Sequence, residues 1–377
     1  MNRAQLGENI KSLRERLSMS QAKLADLMGW GTHVTVSTVE AGSRELKASE
    51  LVKLAECLKV DIYKLLGENT QKPVPYFFWR GAPDDAPMAS NTLLKKADDY
   101  TFIERIVGAQ GEFQQLPHHD LDLNSTNKAH VERWADEVRR SLDLGRYPAE
   151  GLVKVLEENF GVRFILDDFE YGGSGATFSS DEFGSCIFLS SKEPFWRQNF
   201  SIAHELFHLI TWNTILFDQI NSDEELYKKN EKLADTFAAS LLMPLEVFRD
   251  EISKIISSGQ EFHLSHVFSL AHQFGVGSES LLYRMVSAGF IKFEVAQAVL
   301  NLAEFKSANK IQNDSRGKVE ISDRLLRLSH QAMMTGKLSR SKFAKLIGVS
   351  LHQLTKYLAE KGLPDEIEDC LVEISNP

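Results

Sequence analysis

The sequence predicts a mainly α-helical protein with a small β-sheet, an α+β fold made of several modules. The chain has 377 residues, which is enough for two or three domains, and its 43% hydrophobic content is ordinary for a folded protein. Apolar residues recur at helical spacing through most of the chain. Strand patterns are short and lie in the middle, at residues 162–166 and 185–190.

The first 65 residues predict five short helices. The second runs from about Gln21 to Met28, and the third, Thr35 to Glu40, follows the break at Gly29-Trp-Gly31. The apolar residues that mark the other three are Leu6, Ile10, Leu13 and Leu17, then Leu51, Leu54, Ala55 and Leu58, then Ile62, Leu65 and Leu66. Short helices around a glycine turn are typical of a helix-turn-helix domain.

This segment resembles the Xre/Cro repressor family. The matching residues are Ile10-Lys-x-Leu-Arg14, Ser20-Gln-x-x-Leu-Ala25, Ser37-x-x-Glu-x-Gly42 with Arg44, and Leu54-Ala-x-x-Leu-x-Val60. The resemblance implies a positive DNA-binding face with Arg14, Gln21, Lys23 and Arg44, and base contacts from His33, Thr35 or Thr38. The turn is one residue longer than usual, and Glu45 replaces the proline that commonly follows Arg44, which leaves the register of the reading residues open by one position. The alternative is a dimerisation or protein-docking module.

The stretch from Phe200 to Ile210 limits most strongly what the protein can do. On a helix, His204 and His208 are four residues apart and share one face, where two imidazoles can reach one ion. In the pattern His-Glu-x-x-His the histidines bind zinc, and the glutamate, here Glu205, takes a proton from the water on the metal. The alternative is a chance pair of histidines on a buried helix.

A second helix, residues 230–243, supplies a third ligand. A catalytic zinc ion takes three protein ligands and one water, and Glu231 is the candidate for the third. Asp235, four residues on, is placed to accept a hydrogen bond from the outer nitrogen of a ligating histidine. A solvated helix face is the alternative, but Phe237, Leu241 and Leu242 indicate that this helix is largely buried.

Together the two stretches resemble the ImmA/IrrE family of metallopeptidases over about residues 120–290. The resemblance rests on Arg197-Gln-Asn-Phe-Ser-Ile-Ala-His-Glu-Leu-Phe-His208 and on Glu231-x-x-Ala-Asp-x-Phe-Ala-x-x-Leu-Leu-Met-Pro244. It implies a zincin-like metallopeptidase core that holds Zn²⁺, with Mn²⁺ as the alternative ion. His204, His208 and Glu231 would be its ligands and Glu205 the general base.

Shorter segments complete the organisation. Tyr76 to Trp79 lies between prolines and predicts a strand or wedge packed on the peptidase domain, with a base-stacking platform as the alternative. Gly151 to Phe160 predicts an amphipathic helix, and Gly172 to Gly175 a hairpin turn or flexible rim. We expect the strand Ser185 to Ser190 to border the cleft and to hold an extended substrate by β-pairing.

The C-terminal part repeats a pattern of the N-terminal part. Ser339 to Gly348 has the same spacing of serine, apolar residues and glycine as Ser20 to Gly29. It predicts a helical docking module or a second helix-turn-helix. The predicted domains are residues 1–67 (helix-turn-helix), 68–100 (linker with the aromatic segment), 101–290 (metallopeptidase) and 291–377 (C-terminal helical module).

Charge distribution and composition indicate where DNA could bind and in which cell compartment the protein is located. The net charge is −10, but residues 1–67 carry +2 and the remainder −12, so we expect DNA contacts only at the N-terminal end. Cys57, Cys186 and Cys370 are far apart and are expected to be reduced thiols. There is no apolar run of 18 residues and no charged-then-apolar leader, which predicts a cytoplasmic protein without membrane contact.

Two functions fit these features. The first is a DNA-binding transcriptional regulator with a zinc-dependent endopeptidase domain, which binds an inverted-repeat operator as a homodimer and cleaves a repressor or other regulatory protein in a stress or mobile-element response. The second is an antitoxin that binds its own operator and uses the peptidase fold to neutralise a toxin. Glu205 favours the first, because a binding surface does not need a base beside the metal.

Overall fold

The computed structural model describes residues 3–17, 19–58, 60, 62–66, 75–257, 259, 261–315 and 322–365. It divides into two compact units, residues 1–96 with 113–319 and residues 97–112 with 320–377. The fold is mainly helical with one four-stranded sheet, which confirms the predicted fold class.

The larger unit begins with the five predicted helices, α1 (Arg3–Arg16), α2 (Gln21–Met28), α3 (His33–Glu40), α4 (Ala48–Cys57) and α5 (Ile62–Leu66). Ser20 caps α2 by accepting a hydrogen bond from the Lys23 N–H, and Gly29, at φ 70°, ends it in the left-handed conformation. Thr32 caps α3 in the same manner, so this helix starts two residues earlier than predicted. The fully buried side chains at the centre of this bundle are Ile10, Leu24, Val36, Leu54, Leu58 and Leu65.

Four strands form the sheet: β1 (Phe78–Arg80), β2 (Arg163–Asp167), β3 (Gly175–Ser180) and β4 (Gly184–Ser190). Their order is β1-β3-β4-β2, in which β2 runs parallel to β4 and the other pairs are antiparallel. Of the aromatic segment Tyr76 to Trp79, the second half therefore forms a strand, with Phe78 opposite Thr177 and Trp79 opposite Ala176, whereas Tyr76 and Phe77 precede it.

Two predictions about this sheet are wrong. The first alternative for Gly172 to Gly175, a hairpin turn, is excluded, because this segment leads from β2 into β3 and these strands are not neighbours, whereas the second, a flexible rim, stays a prediction. The strand Ser185–Ser190 lies within β4, which pairs with β3 on one side and with β2 on the other. A strand paired on both sides has no free N–H and C=O groups for a substrate, so β4 cannot hold one by edge pairing.

The larger unit contains further helices, of which the helix Phe195–Ile210 packs on the sheet. They are α6 (Ala86–Val107, of which residues 86–96 lie in this unit), α7 (Lys128–Ser141), a 3₁₀ turn at Pro148–Glu150, α8 (Leu152–Asn159), α9 (Phe195–Ile210), α10 (Thr214–Ser222), α11 (Glu224–Leu242), α12 (Leu245–Ser257), α13 (Leu264–Gln273), α14 (Ser278–Ser287), α15 (Phe293–Asn301) and α16 (Ala303–Ser315).

Two of these helices, α9 and α11, form the centre of the unit. α9 packs against β3, β4 and α11, and nearly every residue from Gln198 onward is buried. The rings of Phe207 and Phe237 meet between the two helices with centroids 5.7 Å apart. The buried guanidinium of Arg284 donates to the Met243 carbonyl and to the Ser240 hydroxyl, which fixes the C-terminal end of α11. The apolar packing therefore holds both helices rigidly, as a constellation of ligands requires.

The smaller unit contains residues 97–107 of α6 together with α17 (Asp323–Met334), α18 (Arg340–Leu346) and α19 (Leu354–Glu360). Its buried core includes Ile103, Leu326, Phe343, Leu354 and Leu358. A buried ion pair joins Arg324 to Glu104. Residues 97–112, which we predicted to end the linker and to begin the peptidase domain, thus belong to the unit of the C-terminal helices.

The repeated sequence pattern corresponds to a repeated local structure. Ser339 caps α18 by accepting from the Lys342 N–H, as Ser20 does for α2 with Lys23. Gly348, at φ 71°, follows α18 as Gly29, at φ 70°, follows α2. A capping serine and a left-handed glycine thus define both short helices.

Candidate metal centre and DNA-binding face

The candidate metal centre is formed by two adjacent buried helices. α9 begins after Pro194, and its apolar residues bury both histidines, which are 1% and 4% exposed. α11 begins at the cap Asp223, whose carboxylate accepts from the N–H groups of Glu225 and Leu226. Two turns further along α11, Glu231 reaches the histidines of α9.

The side chains of His204, His208 and Glu231 face one another in a triangle. The two Nε2 atoms lie 3.2 Å apart, Nε2 of His204 lies 3.4 Å from Oε2 of Glu231, and Nε2 of His208 lies 3.3 Å from Oε1. With tetrahedral angles and bonds of about 2.0–2.1 Å, two ligand atoms of a zinc ion are ~3.3–3.4 Å apart. Each pair of side chains is therefore at the spacing of two ligands on one tetrahedral ion, with the Glu231 carboxylate facing each imidazole through a different oxygen.

The outer nitrogen of each histidine has its own partner. Nδ1 of His204 donates to Oδ1 of Asp235 over 2.9 Å, the contact predicted from the spacing of the carboxylates on α11. Nδ2 of Asn230, which is fully buried, lies 3.4 Å from Nδ1 of His208. A metal-binding imidazole carries its proton on Nδ1, so the partner it needs is the amide oxygen of Asn230, which takes this place when the amide is flipped. These partners orient both rings with Nε2 towards the common centre, as second partners of metal-binding histidines do.

The charges of the cluster suit a positive charge at its centre. Burial lowers the pKa of His204, but its hydrogen bonds with Asp235 and Glu231 outweigh burial and raise this pKa to about 9. Burial raises the pKa of Glu231, but its hydrogen bonds with both histidines outweigh this and hold the pKa well below its ordinary value. The two carboxylates thus favour a cation where the imidazoles meet.

Glu205 lies beside the triangle but outside it. It is 1% exposed, burial raises its pKa, and neither carboxylate oxygen has a hydrogen-bond partner within the described protein. A Cβ added to Gly175 would lie 3.2 Å from its Oε1, so the carboxylate packs directly against the backbone of β3. A buried carboxylate without a protein partner beside three metal-type ligands is placed to bind a proton-donating water.

Three residues near this centre were not singled out from the sequence, and a fourth, Phe78, was predicted only as part of the aromatic segment packed on the peptidase domain. The ring of Phe78 stacks on His208 with centroids 5.1 Å apart, and Nη1 of Arg80 donates to Oγ of Ser201 over 2.7 Å. The Tyr227 hydroxyl donates to the Trp79 carbonyl over 3.2 Å, and Asn230 contacts His208. Phe78 and Arg80 lie about 120 residues before α9, and no local spacing links them to it. For Asn230 a signal existed, since a polar residue in the buried stretch before Glu231 needs a partner.

The histidines after the metal helices form no second centre. His263 and His266 face each other at the start of α13, where the His263 N–H donates to Nδ1 of His266, and His272 is exposed. Within the described ranges, the three residues of the triangle are the one cluster of three or more His, Cys, Asp or Glu side chains that could hold a metal ion. No described helix is both long and apolar enough to cross a membrane.

The predicted DNA-binding side chains are divided between the surface and the interior. The Arg14 guanidinium is buried, pairs with Glu40 at 2.5 Å and donates to the Met19 carbonyl. Hydrogen bonds to Glu40, despite burial, raise the pKa of Arg14. Gln21 is half-buried and donates to the same Glu40 over 2.8 Å. Arg14 and Gln21 thus tie α1 and α2 to the end of α3, whereas Lys23 is exposed.

The outer face of α3 differs from the predicted one by about one position. His33 is exposed as expected, but Thr35 and Thr38 are half-buried, and the hydroxyl of Thr38 donates to the carbonyl of Thr35. Val34 and Ser37 are more exposed than either threonine. Arg44 is half-buried, pairs with Glu50 at 2.7 Å and stacks on the Trp30 ring.

Fold and site together define two kinds of domain, a helix-turn-helix bundle and a helical peptidase fold with a His-His-Glu centre. Residues 10–65 match the family model described as helix-turn-helix, and residues 157–286 match that of the IrrE N-terminal-like domain. The chain is therefore a fusion of an Xre-type helix-turn-helix domain with an IrrE/ImmA-like peptidase domain, as predicted. The peptidase family is zincin-like, which suggests zinc.

Comparison with whole proteins adds little. No curated protein sequence matches the chain. A solved structure titled "Mycobacterium tuberculosis transcriptional regulator" is similar to it with 16% sequence identity and a TM-score of 0.31. The match covers 51% of this chain and 50% of that one, so the chain spans about half of that protein's length. The two domain matches support a DNA-binding regulator with a peptidase domain.

Proposed function

We propose that the peptidase domain is a zinc-dependent endopeptidase that cleaves a repressor or another regulatory protein in a stress or mobile-element response. One observation carries this proposal. The side chains of His204, His208 and Glu231 approach one another pairwise at 3.2–3.4 Å beside the buried carboxylate of Glu205, which has no hydrogen-bond partner among the described residues. A merely structural zinc site would be closed by a fourth protein ligand and would not need a base.

Each residue has a distinct part in the proposed chemistry. His204, His208 and Glu231 hold the ion, and Asp235 and Asn230 orient the two imidazoles. Glu205 accepts the proton of the attacking water and later donates it to the leaving amine. When bound, zinc acidifies its water and acts as a Lewis acid on the peptide carbonyl.

The helix-turn-helix domain is proposed to direct the protein to an operator. A small positive face with Lys23 and Arg44 would contact phosphates, and His33 and the exposed side of α3 would read bases in the major groove. Because one such domain makes few contacts and most of the chain is acidic, a homodimer on an inverted repeat, with half-sites about one helical turn apart, is needed for useful affinity.

The test is cleavage by the purified full chain. The protein is incubated with zinc or with manganese and with candidate repressors, and the products are analysed by mass spectrometry. Glu205→Gln keeps the shape of the side chain but cannot accept a proton, so its cleavage rate should fall by about 10²-fold or more at equal metal content.

Equal rates for the two forms at equal metal content would show that Glu205 is not the base. Absence of cleavage by the native form, together with stable complexes with a toxin, would favour the antitoxin function, in which the peptidase fold only binds.

A further inference from the structure

The outer edge of β3, the side that faces away from β4 and pairs with β1, lies close to the metal centre. The backbone of β3 packs against Glu205 at Gly175, while β2 forms the opposite edge of the sheet. β2, β3 and β4 all lie within residues 157–286, which match the peptidase family, and in those residues alone β3 would be an edge strand. The strand that covers this edge, β1, comes from outside the matched residues.

β1 crosses the face of α9 that carries the metal centre. Phe78 and Arg80, two residues apart and therefore on one side of the strand, contact His208 and Ser201 respectively. His204 and Glu205 lie between Ser201 and His208 on α9. The backbone of Trp79 thus spans the part of α9 that holds a metal ligand and the base, and its carbonyl accepts from Tyr227, one turn before Glu231 on α11.

The two side chains of β1 that contact α9, Phe78 and Arg80, lie in different environments. Phe78 is buried among aromatic rings, with centroids 5.0 Å from Trp212 and 5.6 Å from Phe217. Arg80 donates to the hydroxyl of Ser201, which in turn donates to the buried carboxylate of Glu193 over 2.8 Å. The first environment suits an aromatic side chain, and the second suits a cationic one.

From this arrangement we infer that the outer edge of β3 is the site where an extended peptide substrate pairs, and that residues 78–80 occupy it as an internal substitute. The inference rests on the proposed peptidase function. It defines the substrate class as an extended polypeptide with an aromatic residue beside His208 and a basic residue two positions later. Tyr227 donates a hydrogen bond to the backbone carbonyl between them. A protein substrate gains access when it displaces β1.

Binding can be measured without catalysis in the full-length Glu205→Gln protein. The probe is a fluorescently labelled peptide with the sequence of residues 75–82, and its matched control has alanine in place of both Phe78 and Arg80. Anisotropy titrations use the parent protein and the same protein with Phe78→Ala and Arg80→Ala. We expect the double change to vacate the edge and to tighten binding of the probe at least 10-fold, with the control peptide at least 10-fold weaker than the probe. No binding of the probe to this variant, or equal binding of both peptides, would overturn the inference.

Hydrogen exchange provides a second measurement in the same proteins. In the double variant, amides of residues 78–80 and of β3 should exchange faster than in the parent, and the probe should restore the protection of β3. The matched control is Phe183→Ala, which removes another buried aromatic ring, one that contacts Phe178. If Phe183→Ala binds the probe as tightly as the double variant, general loosening explains the result and the inference fails.

Arg80→Ala alone serves if the double variant does not fold, because Arg80 is half-buried and its loss should still improve probe binding several-fold. An unchanged affinity in a folded Arg80→Ala protein contradicts the inference. The experiments can refute the peptidase function and the peptide site on β3 independently of each other. Binding of the probe without any cleavage by the zinc-loaded native protein would leave the peptide site in place and refute the peptidase function.

Discussion

The residues of the metal centre and those of the DNA-binding face were both predicted from sequence patterns on helices, but the two predictions differ in how well they agree with the positions of the side chains. His204, His208 and Glu231 turn inward and meet at 3.2–3.4 Å. Of the predicted DNA contacts, Arg14 and Gln21 also turn inward, to Glu40, and two of the three reading residues are half-buried. A metal site needs ligands that are buried and point to one centre. The spacing of residues along a buried helix nearly determines both. A DNA-binding face needs exposure, which depends on how each helix is rotated in its bundle.

The largest effect that separates the two regions is expected at Arg14. If it is a structural residue, Arg14→Ala leaves the buried Glu40 without its main partner and should destabilise the helix-turn-helix bundle by about 3–5 kcal/mol. The opening free energy of the amides in α1–α3, from hydrogen exchange of the full chain, measures this.

Lys11→Ala is the matched control, an exposed basic residue on the same helix whose loss should change this free energy by less than about 0.5 kcal/mol. Native stability of the Arg14→Ala protein, combined with lost DNA binding, would instead make Arg14 a direct DNA contact.

A smaller effect tests the partners of the two imidazoles. Asn230→Leu removes the amide that orients His208 and should weaken zinc binding by about 10–100-fold, whereas Asn230→Asp keeps an acceptor and should retain the affinity. Asp235→Ala should weaken zinc binding by about 10-fold, the lower end of this range, because the Asp235 side chain is 55% exposed. Competition with a fluorescent chelator gives these affinities. If Asn230→Leu and Asn230→Asp weaken binding equally, Asn230 acts through packing only.

The smallest effects are expected on the outer face of α3. Changes of His33 or Ser37 should alter which DNA sequence is preferred, by about 1–3 kcal/mol per base contact, whereas Lys23→Ala should weaken binding to all sequences and reduce the salt dependence by about one ion. Selection of random duplexes with the full chain at near-physiological salt measures both. If no motif is enriched, the prediction of operator binding is wrong, and the domain is then better explained as a docking module for a protein partner.

Helices whose ends are determined by local residues were predicted most accurately. Helix α2 was predicted to the residue, because Ser20 and Gly29 determine its ends through their own side chain and backbone. The start of α6 at Ala86 was missed because Pro83 and Pro87 suggested a linker, although proline is well tolerated in the first turn of a helix.

Strand β3 was missed for a different reason. Gly175-Ala-Thr-Phe-Ser-Ser180 has little strand propensity of its own, and it is extended because β4 and β1 pair with it. The same holds for the metal centre. His204, Glu205, His208 and Glu231 could be found from two helices, whereas Phe78 and Arg80 arrive through a strand pairing that no local pattern encodes.

The central claim is that one metal ion is held by His204, His208 and Glu231. Its most direct test is elemental analysis with X-ray absorption spectroscopy on the purified full chain, next to His204→Ala and Glu231→Ala. We expect about one zinc ion per native chain, with two imidazole nitrogens and one carboxylate oxygen at about 2.0–2.2 Å, and loss of the ion from both variants. Full metal content in both variants, or a zinc spectrum with sulfur ligands, would contradict the assignment.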